Sequence, residues 1–444
     1  MTRACLVMFL IGCSAGGAGD GPGGGPGELP ADLPDGGVGP THDAPPGTVV
    51  LEVTATGPGR IRSQPEGIDC GGGGTRCRML LDGDVTLMTS DDTTVRWTGD
   101  CAGNGDCAVT GGATRRVSAQ TFAPLAVTFD GEDGRDDACH SIAALPGGGF
   151  VVTGETQRLA QGRNAWTRAY SAAGATVWSY ELNTPSEGSD AGRGVAVLPD
   201  GATVVAGRWY SGSSSRVNYF VSRFTVGGTL IDTQLGELLG DDHYASVAAG
   251  PGGSLVLAGA RGGAAWLEGA DWSIARGADA SVNRVAVAAS GDVLAAGPEA
   301  GHGWAARYRG TTEIWSARFE GGGSDSAEDV AVLPTGYAIA GTTAGAGWIR
   351  VYSDAGAPTW DVAPVAGTTW RAVAPRADGG LVAAGSQGSD LLVRAFTKDG
   401  AVLWTRTRAA AAASSAAVDG DGNVLVCGAQ IGRSRDALAI RFAQ

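Results

Sequence analysis

The sequence lacks several features that would assign a function directly. It has no apolar run of about 18 residues or more, and therefore no candidate for a membrane-spanning helix. Positive charge is not in excess, since 32 Lys and Arg stand against 46 Asp and Glu; the net charge of −14 argues against nucleic acid or an anionic membrane surface as a partner. The four histidines form no metal-ligand spacing, and no nucleophile elbow or phosphate-binding loop occurs. We therefore expect no metal, no cofactor and no catalytic residue.

Glycine, by contrast, is plentiful, with 75 residues, and much of it belongs to a repeated pattern. The segment Gly194–Gly207, GVAVLPDGATVVAG, predicts two short apolar strands joined by a tight turn. Seven copies of this pattern occur, and steps of 38 to 53 residues separate their closing glycines: Gly154, Gly207, Gly259, Gly297, Gly341, Gly385 and Gly428. A period of this size is typical of a solenoid, a propeller or an array.

Each hairpin is followed by two further strands. The third strand carries an aromatic residue or Leu four positions before a Tyr or Phe, as in Trp166 and Tyr170, although the third repeat, at Trp266, departs from this rule. Four antiparallel strands repeated seven times predict an all-β fold, a seven-bladed β-propeller over residues 123–444. The last repeat lacks a fourth strand, and an unassigned strand, Leu125–Phe129, precedes the first hairpin. We expect this strand to complete blade seven and close the ring.

The N-terminal segment indicates where the protein resides. Arg3 precedes an apolar run, which is signal-peptide composition, and the Leu-Ile-Gly-Cys that ends at Cys13 resembles the lipobox of bacterial lipoproteins. That resemblance implies that residues 1–12 are a signal peptide and that Cys13 is lipidated after cleavage. Because Ser14 follows the cysteine, it also implies an outer-membrane lipoprotein; a short cytosolic N-terminus is the alternative. Residues 13–47, rich in Gly, Pro and Asp, predict a disordered tether.

Residues 48–122 change to alternating apolar and polar positions, which predicts a small β-domain. Cys70 and Cys77 flank one glycine-rich loop, and Cys101 and Cys107 flank another, so local disulfides are the natural pairing in an oxidising compartment. Zinc is the alternative, but the six and five intervening residues are more than zinc knuckles use.

Two parts of the chain resemble known bacterial repeats. Residues 48–122 resemble a repeat domain related to internalin B-repeats, on GPGRIRSQPEGIDC at 57–70, WTGDC at 97–101 and the terminal VSAQTF. That resemblance implies a structural or adhesive module of surface proteins. The propeller repeats resemble the SBBP-type and delta-sixty-type repeats, on GGGSDSAEDVAVLPTGYAIAGTT at 321–343 and DLLVRAFTKDGAVLW at 390–404.

A further resemblance, to quinoprotein-like repeats, is carried by a G-x-x-x-W motif at Gly174/Trp178, Gly356/Trp360 and Gly400/Trp404. It implies either a dehydrogenase or a non-enzymatic scaffold lipoprotein of the outer membrane, because those families include both.

Two positions of the inner strand suggest different roles. An Asp recurs at the start of most repeats, at Asp137, Asp190, Asp242 and Asp325, with Asp279 one place off, and a repeated residue is expected to hold a turn. Three residues further on, the side chain varies from blade to blade: His140, Arg193, Ala245, Asn283, Glu328, Arg371 and Ser414. We predict that these side chains ring one mouth of the central channel, either as a binding site or as a solvated lining.

Two local features remain. Cys139 precedes the first strand of blade one and Cys427 ends the second strand of blade seven, so closure would bring them together. We predict a disulfide between them, with two unpaired core cysteines as the alternative. Asp419-Gly-Asp-Gly-Asn resembles the start of a calcium loop but lacks its final Glu and coincides with a hairpin turn, which we expect it to form.

These observations predict a lipid-anchored envelope protein whose propeller surface binds or scaffolds another macromolecule without enzymatic activity. Its partner is expected to be a protein or polysaccharide of the envelope. The lipid anchor is expected to be its only contact with the membrane, and the protein is expected to be a monomer. The alternative is a propeller enzyme with a site at the channel mouth, such as a quinoprotein-like dehydrogenase or a polysaccharide-cleaving enzyme.

Overall fold

A computed structural model describes residues 49–443 except 72–74, 90–92, 132–133, 160–161, 185–187, 212–215 and 238–240. The predicted signal peptide, Cys13 and the tether 13–47 lie outside the described residues. Everything described belongs to one compact unit, residues 37–444. Among the described residues, no helix has the length and apolar character needed to cross a bilayer.

Residues 50–122 form two four-stranded sheets whose alternating apolar side chains face one another. The larger sheet has the order β4-β1-β8-β6 and the smaller one β3-β2-β5-β7. Leu51, Ile61 and Trp97 are buried between them. The strands are β1 Val50–Thr56, β2 Ile61–Gln64, β3 Asp69–Cys70, β4 Thr75–Leu80, β5 Val85–Thr89, β6 Thr94–Gly99, β7 Cys107–Val109 and β8 Arg115–Phe122.

The two predicted local disulfides of this small domain are confirmed. Cys70 bridges Cys77 with Cα atoms 5.9 Å apart, and Cys101 bridges Cys107 with Cα atoms 6.0 Å apart. These bridges take up the thiols that the zinc alternative required.

The remaining strands form seven four-stranded antiparallel sheets, which confirms the predicted propeller. Blades one to three contain β10 Asp137–Ala144, β11 Phe150–Arg158, β12 Gly162–Tyr170, β13 Thr176–Leu182, β14 Ala191–Val197, β15 Thr203–Ser211, β16 Arg216–Phe224, β17 Leu230–Gly236, β18 His243–Ala249, β19 Leu255–Arg261, β20 Ala264–Glu268 and β21 Ser273–Arg276, with a 3₁₀ turn at Pro251–Gly253. Blades four to six contain β22 Arg284–Val287, β23 Val293–Glu299, β24 His302–Arg309, β25 Thr312–Phe319, β26 Asp325–Leu333, β27 Gly336–Thr343, β28 Ala346–Ser353, β29 Pro358–Val365, β30 Thr368–Pro375, β31 Leu381–Gln387, β32 Asp390–Phe396 and β33 Val402–Arg408. Blade seven contains β34 Ala411–Val418, β35 Val424–Ile431, β36 Arg435–Phe442 and β9 Leu125–Phe129.

The ring closes as the sequence predicts. Strand β9 pairs antiparallel with β36, from Leu125 opposite Arg441 to Phe129 opposite Ala437, and so supplies the fourth strand of blade seven. The first strand of every blade contacts the first strand of the next, and β10 contacts β34. Cys139 and Cys427 form a disulfide across the same junction, with Cα atoms 5.7 Å apart. Hydrogen bonding and a covalent bond thus join the two ends of the ring.

Tryptophan side chains connect neighbouring blades. The indole of Trp178 in blade one stacks on Phe224 of blade two, with ring centroids 5.3 Å apart. It also covers the turn at Gly228, where φ is +83° and a Cβ atom would lie 2.1 Å from the indole. Gly356 and Gly400 have the same relation to Trp315 and Trp360 of the blades before them. The glycines of the G-x-x-x-W motif therefore serve blade packing, since only glycine combines a positive φ with room for the ring.

The small domain rests on blade six. Its second disulfide loop ends in Asp106, whose backbone N–H donates to the carbonyl of Leu403 in β33, 3.2 Å away. The Trp97 indole N–H holds this loop by donating to the carbonyl of Gly105. Only two residues separate β8 from β9, so this contact and a short link fix the small domain beside the closing blade.

Candidate functional site

The repeated aspartates hold turns, which supports the structural interpretation of their recurrence. Each accepts a hydrogen bond from a backbone N–H beyond its own strand: Asp137 from Gly131 (2.5 Å), Asp190 from Thr184 (2.9 Å), Asp242 from Gly262 (2.9 Å) and Asp325 from Gly321 (2.6 Å). Asp279 departs from the others in conformation as well as in position, with a φ of +57°. These contacts are the side-chain to backbone hydrogen bonds that a turn-holding residue is expected to make.

Asp419, in the calcium-like segment, has the same role. Its carboxylate accepts hydrogen bonds from the backbone N–H groups of Asp421 (3.0 Å) and Asn423 (2.8 Å) and from the Asn423 side chain (2.9 Å). The segment forms the turn between β34 and β35, as predicted.

The variable position of the inner strand coincides with a β-bulge. In six blades the register between the first and second strands slips at this one residue: His140, Arg193, Ala245, Glu328, Arg371 and Ser414. A bulged residue has no partner in the ladder, so its side chain is aimed away from the alternation of the strand. Bulges of this kind are common beside functional sites. The sequence analysis found these positions through their variability but did not predict the bulge.

Two of these residues meet in blades one and two. His140 Nε2 lies 3.4 Å from Glu155 Oε2, and an Arg193 guanidinium nitrogen lies 3.7 Å from the same oxygen. The other carboxylate oxygen of Glu155 forms an ion pair with Arg163. Arg208 of β15 stands close enough for its charge to act on both His140 and Arg193. We call His140, Glu155, Arg163, Arg193, Arg208 and the nearby His243 the cationic cluster.

Burial and crowding set the charge states of this cluster. Burial alone raises the pKa of Glu155, but its contact with His140 and the charges of Arg193 and Arg163 outweigh burial and hold the pKa at about 2. Burial, and then the charge of Arg208, lowers the pKa of Arg193 to about 10. Burial is also the main cause that lowers the pKa of His140 and of His243. At neutral pH the carboxylate is therefore ionised and both imidazoles are neutral.

The other predicted ring residues are distributed elsewhere. Arg371 and Glu328 form an ion pair of 2.8 Å between blades six and five. The Asn283 side chain donates to the carbonyl of Ala327 (3.0 Å) and so joins blade four to blade five. Ala245 offers no polar group. Among the described residues, the contacts divide the predicted ring residues into separate groups; that they ring one mouth of the channel stays a prediction.

An arginine that the sequence analysis missed crosses the channel. Arg284, next to Asn283, places its Nε 3.3 Å from Asp329 Oδ1 in blade five and donates to the carbonyl of Ser414 in blade seven (3.5 Å). The Asp329 carboxylate also accepts backbone N–H bonds from Val330 (2.8 Å) and Val373 (2.9 Å). Burial raises the pKa of Asp329 to about 6, against the opposing effect of Arg284. Arg284 thus joins blade four to blade five and to blade seven.

A cavity of about 150 Å³ lies between blades seven and one. His140 and Ser414 are the two predicted ring residues that line it, together with Glu155, Arg163 and Arg435. Asp136 and Asp137 also face it. At roughly 30 Å³ of liquid volume per water, the cavity holds a few waters or one small polar group.

Sequence reasoning missed Glu155, Arg163, Arg208 and Arg284 for one reason. They lie on the second and third strands of a blade or next to the variable position. The comparison of repeats used only the first strand, so it did not examine these positions. A charged residue inside a strand that is otherwise apolar was the available signal, as in VVTGETQ, where Glu155 follows the closing glycine.

Among solved structures, the chain is similar to a catalytically inactive virginiamycin B lyase from Staphylococcus aureus with quinupristin, at 12% identity and a TM-score of 0.47, covering 72% of this chain and 99% of that one. It is also similar to Sqt1 from Chaetomium thermophilum (13%, 0.48, 72% and 100%) and to YCF48 bound to D1 peptide (12%, 0.49, 72% and 97%). No protein-family model matches the chain, and no curated protein matches it. At such identity the likeness concerns the fold alone. By its own sheets, the chain is a β-propeller of seven four-stranded blades that follows a small disulfide-stapled β-domain.

Proposed function

We propose that this protein is a non-enzymatic binding or scaffolding module of the bacterial cell envelope, a monomer held at the outer membrane by lipid on Cys13. Its partner on this proposal is a protein or polysaccharide of the envelope, bound at the channel mouth. The repeats at 321–343 and 390–404 and the small domain are consistent with surface proteins through the resemblances described above. Three disulfides support a compartment outside the reducing cytosol.

The bulged position carries the proposal. The same β-bulge, repeated in six blades, carries five different residue types at equivalent positions of the inner strand. A fixed frame with variable polar positions is the arrangement by which scaffolds recognise partners. An enzyme would require its ionisable groups to converge on one pocket. The four ionisable ring residues do not converge in this way: Arg371 and Glu328 pair with each other, and only His140 and Arg193 belong to the cationic cluster.

The test is capture of envelope components by the full chain. A double variant, Glu328→Ala with Arg371→Ala, removes two ring side chains and should reduce capture at least tenfold. Arg318→Gln is the matched control, because this half-exposed arginine pairs with Glu320 away from the mouth. Equal capture by all three proteins would refute the proposal. Turnover of a captured polysaccharide would instead support the alternative of a propeller enzyme.

The anchor has its own test, since Cys13 lies outside the described residues. Mass spectrometry of the wild type should find an acyl modification on Cys13, and the Cys13→Ser protein should leave the membrane fraction. A Cys13→Ser protein that remains with membranes, alongside a wild type without acyl mass, would show that the proposed location is wrong.

A further inference from the structure

The cationic cluster holds more positive than negative charge. The guanidinium groups of Arg163 and Arg193 pair with the single carboxylate of Glu155, and a third guanidinium, that of Arg208, stands beside Arg193. With both imidazoles neutral, three positive charges and one negative charge give the six residues of the cationic cluster a formal charge of +2. The chain as a whole carries −14, so the excess is a local feature and not a consequence of composition.

Arg208 is the member of the cationic cluster whose position no described contact explains. Its Nε is buried and has no hydrogen-bond partner among the described residues, and no described carboxylate lies within ion-pair distance of it. It lies on β15, where its neighbours in the ladder are Ala191 and Tyr219. A buried donor without a partner is costly, and its position beside Arg193 adds repulsion between like charges. A structural role in the described part of the chain does not account for this placement.

We propose that this corner of the mouth binds one oxyanion group of a ligand, a carboxylate or a phosphate, between the guanidinium groups of Arg193 and Arg208. The planar fork of a guanidinium matches either group through paired N–H donors. Glu155 positions the guanidinium groups of Arg163 and Arg193, because both pair with its carboxylate. This inference rests on the proposed function, since it names the chemistry of the group that the mouth would take.

The acidic neighbours determine where the anion lies. Asp136, Asp137 and Glu155 line the cavity between blades seven and one and outnumber its two arginines, Arg163 and Arg435, so that side disfavours an anion. Asp241 and Asp242 act on His243, but their carboxylates already accept backbone N–H bonds from Val217 (3.1 Å) and Gly262 (2.9 Å). Arg193 and Arg208 are therefore the guanidinium groups of the cluster with the weakest carboxylate contacts: Arg193 lies 3.7 Å from Glu155, and Arg208 has no described carboxylate within ion-pair distance.

Calorimetric titration tests the site in the full-length protein carrying Cys13→Ser. The probes are inorganic phosphate, glucuronate as the carboxylate and glucose as a neutral control, at low ionic strength because screening weakens such contacts. Arg208→Gln should weaken binding of the anion about tenfold or more. Arg318→Gln removes the same charge from a surface pair and should leave the affinity unchanged.

The melting temperature of the ligand-free protein distinguishes a role of Arg208 in ligand binding from a role in stabilising the fold. If Arg208 is kept for a ligand, Arg208→Gln relieves repulsion and the protein should melt at an equal or higher temperature. Preference for glucuronate assigns an acidic sugar, and preference for phosphate assigns a phosphorylated polymer; both outcomes support the site. No binding of either anion, or equal affinity in Arg208→Gln and Arg318→Gln, would overturn it. Anion binding that depends on Arg208, with capture unaffected by the Glu328/Arg371 variant, would leave this inference standing and refute the proposed function.

Discussion

The disulfide across the ring junction should contribute more to stability than its position in one blade suggests. Replacing both Cys139 and Cys427 with Ala releases a loop closed over 288 residues. The chain-entropy relation gives about 5.7 kcal/mol for a loop of that length and about 2.4 kcal/mol for the seven-residue separation of Cys70 and Cys77. Residual structure in the unfolded chain lowers both values, and the disulfide across the ring junction should still contribute about twice as much as the local one.

Urea unfolding followed by tryptophan fluorescence provides the assay, because eleven of the twelve tryptophans lie in the propeller and Trp97 alone lies in the small domain. The Cys139→Ala/Cys427→Ala protein should unfold at a clearly lower urea concentration than the wild type. The Cys70→Ala/Cys77→Ala protein, the matched control, should move the propeller transition much less. Dithiothreitol should bring the wild type to the position of the first variant.

A double variant that unfolds within about 0.5 kcal/mol of the wild type, while peptide mapping shows the bridge in the wild type, would refute this reasoning. It would mean that the pairing of β9 with β36 already constrains the ring ends, or that the unfolded ensemble keeps them together.

Three other perturbations have definite outcomes. Deleting Leu125–Phe129 leaves the edge of β36 unpaired, so light scattering should detect association and the cooperative transition should be lost; an unchanged transition would show another mode of closure. Glu155→Gln removes the carboxylate that pairs with Arg163 and Arg193. Because the folded pKa of about 2 lies below the ordinary value of 4.5, the loss should be about 3 kcal/mol at pH 7, and it should disappear in thermal melts as the pH falls from 5 through 2. Asp329 has the opposite sign, since its folded pKa of about 6 lies above the ordinary 3.8. The stability of the wild type relative to Asp329→Asn should therefore fall by about 3 kcal/mol as the pH rises from 4 to 7, and a difference that does not vary with pH would contradict the assignment.

The fold could be predicted because each blade repeats the same sequence pattern. Apolar alternation, a turn residue and a closing glycine define each hairpin, and seven copies leave few architectures. The missing fourth strand at the end of the chain and the unassigned strand Leu125–Phe129 then imply closure, which the pairing with β36 confirms. The proximity of Cys139 and Cys427 followed from the same step, because the topology brings their strands to adjacent blades.

The site could be predicted only in part, since its geometry depends on contacts between blades. The variable position was found by comparing repeats, yet the sequence could not show that His140 and Arg193 would share Glu155 while Glu328 paired with Arg371. Those choices depend on the rotation between neighbouring blades and on side-chain length, and neither is encoded in the repeat pattern.

The bulged residue and the residue that follows it have different roles in this propeller. A bulge interrupts the ladder, and the residue after it repairs the junction with the next blade: Ser141 accepts from the Val195 N–H (3.3 Å), and Ser246 accepts from the Val285 N–H (3.2 Å). Because the neighbouring residue makes this hydrogen bond, the side chain of the bulged residue is not needed for pairing within the sheet. Each blade can therefore change its bulged side chain without changing its backbone. This division of roles explains how His140 and Arg193 can contribute to the cationic cluster without a change of backbone, and it makes the bulged residues the positions where specificity should differ among propellers of this type.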